Sequence, residues 1–259
     1  MENSHPLVSI IVISYNSEHF ILETLESVLS QTYKNIELII SDDASTDRTV
    51  ALSKEWIEQN KSRFLNAKII QPEKNTGIAG NCNRGVRASE GEWIKLMAAD
   101  DLLLPNCIED SVAFAKKNQS KVILGNVIHF LDGTNPKKIL KRTKPYWGKA
   151  GNPNTANEQY QALLLNYCGN TVSLFFARSV YDKIPYDERF QFIEDYPFLM
   201  NVTKNNIFID HLDKETAMYR VRNHSVYFDD PDKLFSDFYK KRLAFDREYR
   251  FPYISKMRR

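Results

Sequence analysis

Patterns typical of buried strands and amphipathic helices alternate along the first half of the chain. Val8–Ile13 is an almost uninterrupted apolar run rich in β-branched residues, which is typical of a strand buried on both faces. Between Glu18 and Gln31 apolar residues recur every three or four positions, the spacing of a helix. The same reasoning predicts strands at 36–40, 68–70, 92–97, 121–124 and 127–130, and helices at 47–60, 80–88 and 105–117. Such alternation with short connections predicts a mostly parallel α/β sheet with helices on both faces.

The pattern changes after residue 130. Residues 132–158 are rich in Lys, Pro, Gly and Asn, so we predict a long loop of the kind that often covers a binding site. The remaining segments predict helices at 158–165 and 194–204 and strands at 171–176, 207–211 and 216–221. No Pro- or Gly-rich linker divides the chain, so we expect one compact domain over residues 1–232.

Composition narrows the class of protein. The 259 residues are 42% hydrophobic and 26% charged, the ordinary balance of a soluble globular protein. The longest apolar runs are far too short to span a bilayer, and the first residues lack the basic start and apolar stretch of a signal peptide. Three well-separated cysteines exclude a disulfide scaffold and a Cys-based zinc site, so we expect a cytoplasmic protein.

Charge is concentrated at the C-terminal end. We call residues 233–259 the tail; it carries nine Lys or Arg against three Asp or Glu, a net charge of +6. Because the whole chain carries +2, the rest carries −4. A basic aromatic helix is predicted there, and it has two interpretations: an interfacial helix that binds an anionic membrane, or a helix that packs on the domain or on a second copy of the chain.

Acidic and amide side chains follow the predicted strands where their carboxyl ends meet one edge of the sheet, the usual position of ligand sites in such sheets. Asp42-Asp43 and Asp100-Asp101 are acidic pairs on that edge, and two such pairs would repel unless a cation or a donor-rich ligand lies between them. Oxygen ligands of this kind suit Mg²⁺ or Mn²⁺. A third pair, Glu194-Asp195, begins a predicted helix and offers a general base.

Together these segments resemble family 2 glycosyltransferases of the GT-A fold, a nucleotide-binding α/β fold. The resemblance covers roughly residues 7–225 and rests on these segments in order: Val8–Asn16, Ser27–Glu37, Ser41–Asp47, Asn75–Gly77, Gly91–Trp93, Ala98–Asp101, Glu194-Asp195 and Tyr219-Arg220. It implies a nucleotide-sugar half over about residues 1–125, an acceptor half over about 126–232, and the basic tail beyond them.

The resemblance also implies roles for individual residues. Tyr15 is expected to stack on the nucleotide base beside the backbone of Ile13, and Asp43 to accept a hydrogen bond from uracil N3, which favours UDP. Asn75 belongs to the same donor site. Asp101 is expected to bind the metal, with Asp100 on ribose or sugar. Asp195 matches the catalytic base of inverting members, and Glu194 supports it.

Two positions depart from the pattern of the family. Ala98 stands where the first acid of the Asp-x-Asp-Asp motif is common, so we expect metal binding through fewer protein ligands. After Arg220, which the resemblance assigns to the donor site, Arg222 stands where the family often has His. Either Arg222 or the displaced His224 is then expected to contact the diphosphate.

The function implied is that of an inverting, Mn²⁺- or Mg²⁺-dependent enzyme that moves a sugar from a UDP-sugar to an acceptor hydroxyl. By analogy with soluble members of the family, the acceptor is expected to be a lipid-linked oligosaccharide of a bacterial surface polysaccharide. A nucleotidyltransferase would need a Gly- and Lys/Arg-rich loop that Val8–Asn16 lacks. A second alternative is a nucleic-acid-binding protein that uses the basic tail, but the net negative charge of the rest of the chain argues against it. A third is a non-catalytic, lectin-like protein, and the presence of Asp43, Asp100, Asp101 and Asp195 argues against that.

Overall fold

The structure is a computed structural model that describes residues 5–148, 151–169, 171–190, 192–222 and 237–257. Its strands are β1 Val8–Ser14, β2 Ile36–Asp42, β3 Asn66–Ile70, β4 Trp93–Ala98, β5 Leu102–Leu103, β6 Val122–Leu131, β7 Lys138–Thr143, β8 Phe175–Ala177 and β9 Ile209–Val221. Its helices are α1 Ile21–Leu29, α2 Thr49–Asn60, α3 Gly77–Ala88, α4 Cys107–Asn118, α5 Ala156–Leu165, α6 Arg178–Tyr181, α7 Asp195–Lys204, α8 Asp237–Phe245 and α9 Phe251–Met257.

The strands join in one sheet with the order β3-β2-β1-β4-β8-β6-β9-β5, and β7 pairs with β6. The first four long strands are parallel, as the alternation of strand and helix predicted. Beyond β4 the sheet becomes mixed: β8 lies antiparallel between β4 and β6, whereas β9 runs parallel to β6. The sheet therefore continues without a break from the first half of the chain into the second.

Alternate residues of the central strand β1 face the two sides of the sheet, as the pleat requires. Ile10 and Val12 belong to a buried cluster that includes residues of α1, α2 and α4. Ile11 belongs to a second cluster, which includes residues of α3, α5 and α7. The prediction of helices on both faces is thus confirmed, and the continuous apolar run at 8–13 has its cause in this double burial.

Several predicted elements have different bounds in the structure. The two strands predicted at 121–124 and 127–130 form the single strand β6, which is irregular against β9 around Gly125 and Asn126. Likewise β9 replaces two predicted strands. The predicted strand at 171–176 begins as the 3-10 turn Thr171–Ser173. Part of the predicted loop 132–158 is the strand β7, whose exposed Lys- and Arg-rich sequence suits a sheet edge and conceals its pairing with β6.

The tail is helical where it is described, with a π-helical segment, Asp246–Arg250, between α8 and α9. Phe245 is fully buried, with its ring 4.7 Å from that of Tyr196 and 5.7 Å from that of Phe190. Arg250 Nε donates to the carbonyl oxygen of Leu164 at 2.7 Å. These contacts agree with the interpretation that the tail packs on the domain. Phe235, which also belongs to the predicted aromatic helix of the tail, lies outside the described residues.

None of the helices in the described part of the chain is long and apolar enough to cross a membrane. The loops that follow β1, β2 and β4 all leave the sheet at the same edge. They meet there with the segment before α7, and this meeting point holds the candidate active site.

Candidate active site

Two cavities lie at the carboxyl edge of the parallel strands. The first cavity, of about 600 Å³, is lined by Ile13, Tyr15, Asp43, Asn75, Asp100, Glu194 and Arg222 together with nine other residues. The second cavity, of about 350 Å³, is lined by Asp101, Asp195, Tyr167, Thr171 and Tyr219, among others. Ile13, Ala98 and Glu194 line both cavities, so the two adjoin. The fold therefore gathers nine of the eleven predicted site residues around these two adjoining cavities, the exceptions being Arg220 and His224.

Tyr15 gives the first cavity an aromatic wall. Its side chain is 51% exposed, although it directly follows the buried strand β1. The next residue, Asn16, has a left-handed backbone with φ of 48°. The side-chain oxygen of Asn16 accepts from the backbone N–H of Thr46 at 2.9 Å, and its own N–H donates to Ser45 Oγ at 2.8 Å. Hydrogen bonds to Ser45 and Thr46 thus hold the loop in place, while the aromatic ring of Tyr15 stays exposed to a ligand.

The two acids at the end of β2 have different partners. Asp42 accepts hydrogen bonds from Ser14 Oγ at 2.9 Å, the Ser45 N–H at 2.8 Å and Gln71 Nε2 at 2.9 Å. It is fully buried and does not line either cavity. The expectation that a cation or a ligand must separate the two acidic pairs is therefore wrong for Asp42, because protein donors satisfy its carboxylate.

Asp43 lines the first cavity and holds the turn before α3. Its carboxylate accepts from the N–H groups of Thr76 and Gly77 at 3.0 and 2.8 Å, and from Arg84 Nη2 at 2.9 Å. Gly77 has φ of 80°, a conformation that favours glycine. Arg84 was not among the predicted site residues. Arg84 lies on α3, eight residues after Thr76, and it reaches Asp43 because α3 packs against β2.

Asp100 and Asp101 divide between the two cavities. Asp100 lines the first cavity and pairs with Arg222, with Nη2 2.7 Å from Oδ2. Asp101 lines the second cavity, is only 4% exposed, and accepts the Arg220 backbone N–H at 3.0 Å. Burial raises the pKa of Asp101 well above its usual range, and the neighbouring charge of Asp100 adds to this. A cation close to this pair would reverse that effect.

Arg220 lies elsewhere than expected. It is 7% exposed and absent from the linings of both cavities. Its guanidinium pairs with Glu23 and with Asp132 (2.8 Å), and its Nε donates to the Asp100 carbonyl at 2.7 Å. Phe130 packs against it, with its ring centre 4.8 Å from Arg220 Cζ. Arg220 therefore holds the Asp100-Asp101 turn in place without lining either cavity. His224 lies outside the described residues.

Asp195 begins α7, Glu194 directly precedes it, and both residues line the second cavity. One oxygen of Asp195 accepts hydrogen bonds from Tyr167 Oη and from Thr171 Oγ1, the latter at 2.5 Å. Burial raises the pKa of Asp195, and the two hydroxyls act in the opposite direction. Glu194 Oε2 is buried without a hydrogen-bond partner in the described structure. Burial, followed by the charge of Asp195, raises the pKa of Glu194 to about 8. Tyr167 and Thr171 are further site residues that the sequence pattern did not single out.

A divalent cation fits this donor set only with help from a ligand. Among the described residues, no group of three or more His, Cys, Asp or Glu side chains is arranged to hold a metal ion. Asp101 is a buried carboxyl whose ionised form a cation would favour, and Asp100 adjoins it. Such oxygens suit Mg²⁺ or Mn²⁺, which commonly take further ligands from phosphates and water. The residues present fit an ion that a bound diphosphate helps to coordinate.

Comparisons with known proteins bear on the family and on the fold. The family model described as Glycosyl transferase family 2 matches residues 9–182. An uncharacterized glycosyltransferase of Haemophilus influenzae is 30% identical over 208 residues, which are 79% of this chain and 62% of that protein. The Escherichia coli enzyme WfgD, named as a UDP-Glc:alpha-D-GlcNAc-diphosphoundecaprenol beta-1,3-glucosyltransferase, is 29% identical over 222 residues, or 85% of this chain and 79% of that one.

Among solved structures, Staphylococcus aureus TarS (residues 1–349) in complex with UDP-GlcNAc superposes with a TM-score of 0.67 at 22% identity. The match covers 93% of this chain and 66% of that one. The fold is therefore of the GT-A type that the sequence resemblance implied. The chain spans about three fifths of the length of the Haemophilus influenzae relative.

Proposed function

Since this chain belongs to glycosyl transferase family 2, we propose that it moves a sugar from a UDP-sugar to an acceptor hydroxyl and inverts the anomeric carbon. One observation carries the proposal: separate segments of the chain converge on two adjoining cavities. The first cavity offers an exposed aromatic ring and charged groups for a nucleotide sugar, and the second offers a buried carboxyl pair. Glu194 lines both, at the junction where donor and acceptor would meet.

In this proposal the donor occupies the first cavity. The uracil stacks on Tyr15, beside the turn that Asp43 holds, and stacking of this kind is worth on the order of 1 kcal/mol. Asp43 already accepts hydrogen bonds from Thr76, Gly77 and Arg84. Its role toward uracil N3 therefore uses a carboxylate that is held rigidly in place. Asn75 and Asp100 line the same cavity near the expected ribose and sugar.

Arg222 and the metal would serve the diphosphate. Arg222 lines the first cavity, where it pairs with Asp100, and in this proposal its guanidinium would contact the diphosphate. Asp101, with Asp100 beside it, would hold Mg²⁺ or Mn²⁺. When bound, the ion supplies positive charge that stabilises the diphosphate leaving group as its negative charge grows.

Asp195 would remove the proton from the acceptor. The acceptor oxygen attacks the anomeric carbon from the face opposite the diphosphate, and the bond from that carbon to the phosphate oxygen breaks with its electron pair on UDP. The acceptor proton passes to Asp195. Because there is one displacement, an α-linked donor gives a β-linked product. The hydroxyl that attacks would lie in the second cavity, which Asp195 and Glu194 line.

The acceptor is proposed from similarity to WfgD. The name of that enzyme describes glucosyl transfer to a GlcNAc-diphosphoundecaprenol, and the match covers 85% of this chain. We therefore propose a lipid-linked saccharide of a surface polysaccharide as the acceptor. The aromatic and apolar lining of the second cavity, which includes Tyr167, Tyr186 and Tyr219, suits the face of a sugar ring.

The test is a screen of UDP-sugars with Mn²⁺ and GlcNAc-diphospholipid acceptors, read out as UDP release and as the anomeric configuration of the product by NMR. We expect one UDP-sugar to give a β-linked product. Asp195→Asn should abolish transfer but preserve UDP affinity, since the base contacts only the acceptor, whereas Asp182→Asn at an exposed position should behave as the parent. A retained anomeric configuration, or an active Asp195→Asn, would contradict the mechanism.

A further inference from the structure

Two hydroxyl groups converge on a single carboxylate oxygen of Asp195. Tyr167 Oη and Thr171 Oγ1 both donate to Oδ2, and the two hydroxyl oxygens lie 2.9 Å from each other. We call Tyr167 and Thr171 the hydroxyl pair. Each hydroxyl can donate only one hydrogen bond. When both donate to an ionised Asp195, neither can donate to the other hydroxyl. The 2.9 Å spacing allows that contact only when one hydroxyl turns away from the carboxylate.

The segment that carries the hydroxyl pair is fixed to the sheet. Lys95 of β4 is fully buried, and its Nζ donates to the carbonyl oxygens of Val172 and Leu174 at 2.5 and 3.3 Å. Ser173 Oγ donates to the carbonyl of Gly125 on β6 at 3.0 Å. Thr171 therefore begins a turn that β4 and β6 hold in place.

Tyr167 is fixed by a separate contact. Its ring centre lies 5.0 Å from that of Tyr196, whose hydroxyl donates to the carbonyl oxygen of Leu163. Tyr196 is 1% exposed and follows Asp195 directly in α7. The aromatic contact thus ties Tyr167 to the same helix that presents the carboxylate.

We propose that Tyr167 and Thr171 are positioning residues that keep Asp195 ionised and correctly oriented before transfer, and that hydrogen-bond to each other once Asp195 has taken the acceptor proton. This inference rests on the proposed function, in which Asp195 is the general base. Before transfer the ionised carboxylate accepts a hydrogen bond from each hydroxyl group. When the acceptor proton arrives, one hydroxyl rotates toward the other hydroxyl oxygen. No proton leaves Tyr167 or Thr171, and the only net proton transfer runs from acceptor to Asp195.

The other groups that interact with Asp195 do not replace the hydroxyl pair. Glu194 adjoins it and disfavours its charge, as do Cys82 of α3, Cys168 and Tyr186 when ionised. Burial raises the pKa of each of these three groups, so all are neutral at physiological pH. Asp101, His129 and Tyr219 face the same cavity. Among the described side chains, those that donate hydrogen bonds to Asp195 are therefore the two hydroxyls.

The test is the pH dependence of kcat for Tyr167→Phe, Thr171→Val and Thr171→Ser. Both Tyr167→Phe and Thr171→Val remove one donor to the carboxylate, so the acidic limb of the profile should move up by about one pH unit. On that limb kcat should fall about tenfold. KM for the UDP-sugar should stay within about twofold, because the donor site is untouched. Thr171→Ser keeps the hydroxyl and should restore the parent profile, and the exposed Tyr146→Phe is the matched control.

The outcomes separate this inference from the proposed function. Unshifted profiles in both Tyr167→Phe and Thr171→Val, with Asp195→Asn inactive, would overturn the inference and leave the function intact. An active Asp195→Asn would overturn both. If Tyr167→Phe does not fold, the comparison of Thr171→Val with Thr171→Ser decides: a shift that serine reverses supports the inference, and equal profiles contradict it.

Discussion

Removal of the Phe245 ring should destabilise the whole domain, although this residue lies in the tail. Phe245 is fully buried and belongs to the same core cluster as Phe198 and Leu163. Its ring lies 4.7 Å from that of Tyr196 and is stacked on Tyr249 at 5.1 Å. Phe245→Ala would therefore leave a cavity between the tail and α7.

The magnitude follows from the burial and from the neighbours. Replacing a buried Phe by Ala typically costs about 3–5 kcal/mol of unfolding free energy, and more where the surroundings cannot collapse. Tyr196 is held by its hydrogen bond to Leu163, and Phe190 is 3% exposed, so neither can move far into the space. We expect a loss of about 3–4 kcal/mol. For a chain of this size each kcal/mol lowers Tm by about 2–4 °C, so Tm should fall by roughly 6–16 °C.

The assay is urea and thermal unfolding followed by circular dichroism, with co-sedimentation on anionic vesicles in parallel. Leu243→Ala is the matched control, because Leu243 lies on the same helix and is 42% exposed. It should change stability by about 0.5 kcal/mol or less. Truncation after Asp232 removes Phe245 altogether and should unfold the protein.

The same measurements decide how the tail functions. An interfacial helix would insert the aromatic side chains of the tail into lipid, but Phe245 and Tyr249 already pack on the domain. Arg242 also lies over the Tyr196 ring, 5.0 Å from its centre. A Phe245→Ala protein that keeps its stability but loses salt-sensitive vesicle binding would refute the reasoning and support the membrane interpretation instead.

Three further predictions concern the cavities. Asp101→Asn keeps the size of the side chain but removes its charge, and turnover should fall at least about 10²-fold; full activity in EDTA would contradict the metal assignment. Tyr15→Ala should weaken UDP binding about tenfold in calorimetry with no loss of stability, because the ring is half exposed, and tighter binding of GDP than of UDP would show that the base site is misassigned. The pKa of Glu194 is raised to about 8 in the folded protein, against 4.5 for the ordinary carboxyl, so the folded state binds more protons between those values. Stability should therefore fall as pH rises from about 4.5 to about 8, less so in Glu194→Gln, and equal urea midpoints of the two proteins across that range would exclude the effect.

The order and type of the first elements followed from local pattern alone. The apolar run at 8–13 predicted a strand covered on both faces, and β1 lies in the interior of the sheet. The polar residues after β1, β2 and β4 were predicted to share an edge because parallel strands end on the same side, and they line adjoining cavities. Such inferences need only the period of the pattern and the geometry of parallel strands.

Local pattern could not place the contacts made between distant segments. β7 is exposed and rich in basic residues, and only its pairing with β6 makes it a strand. Arg220 was assigned to the donor site from its neighbours in sequence. Its guanidinium instead pairs with Glu23 and Asp132, because β9 returns beside β6 and brings the three together.

The chemistry of the carboxylates was also decided by tertiary structure. In sequence, Asp42 and Asp43 are equivalent adjacent acids, yet only Asp43 lines one of the two cavities. Asp42 is the last residue of β2 and its carboxylate is held by protein donors, whereas Asp43 follows the strand. The sequence predicts Glu194-Asp195 as a pair of acids at a helix start. It does not predict the contacts of Asp195 with Tyr167 and Thr171, which lie 24 or more residues away along the chain. The residue types that can carry charge are written in the sequence. Their burial and partners, which set that charge, exist only once the chain has folded.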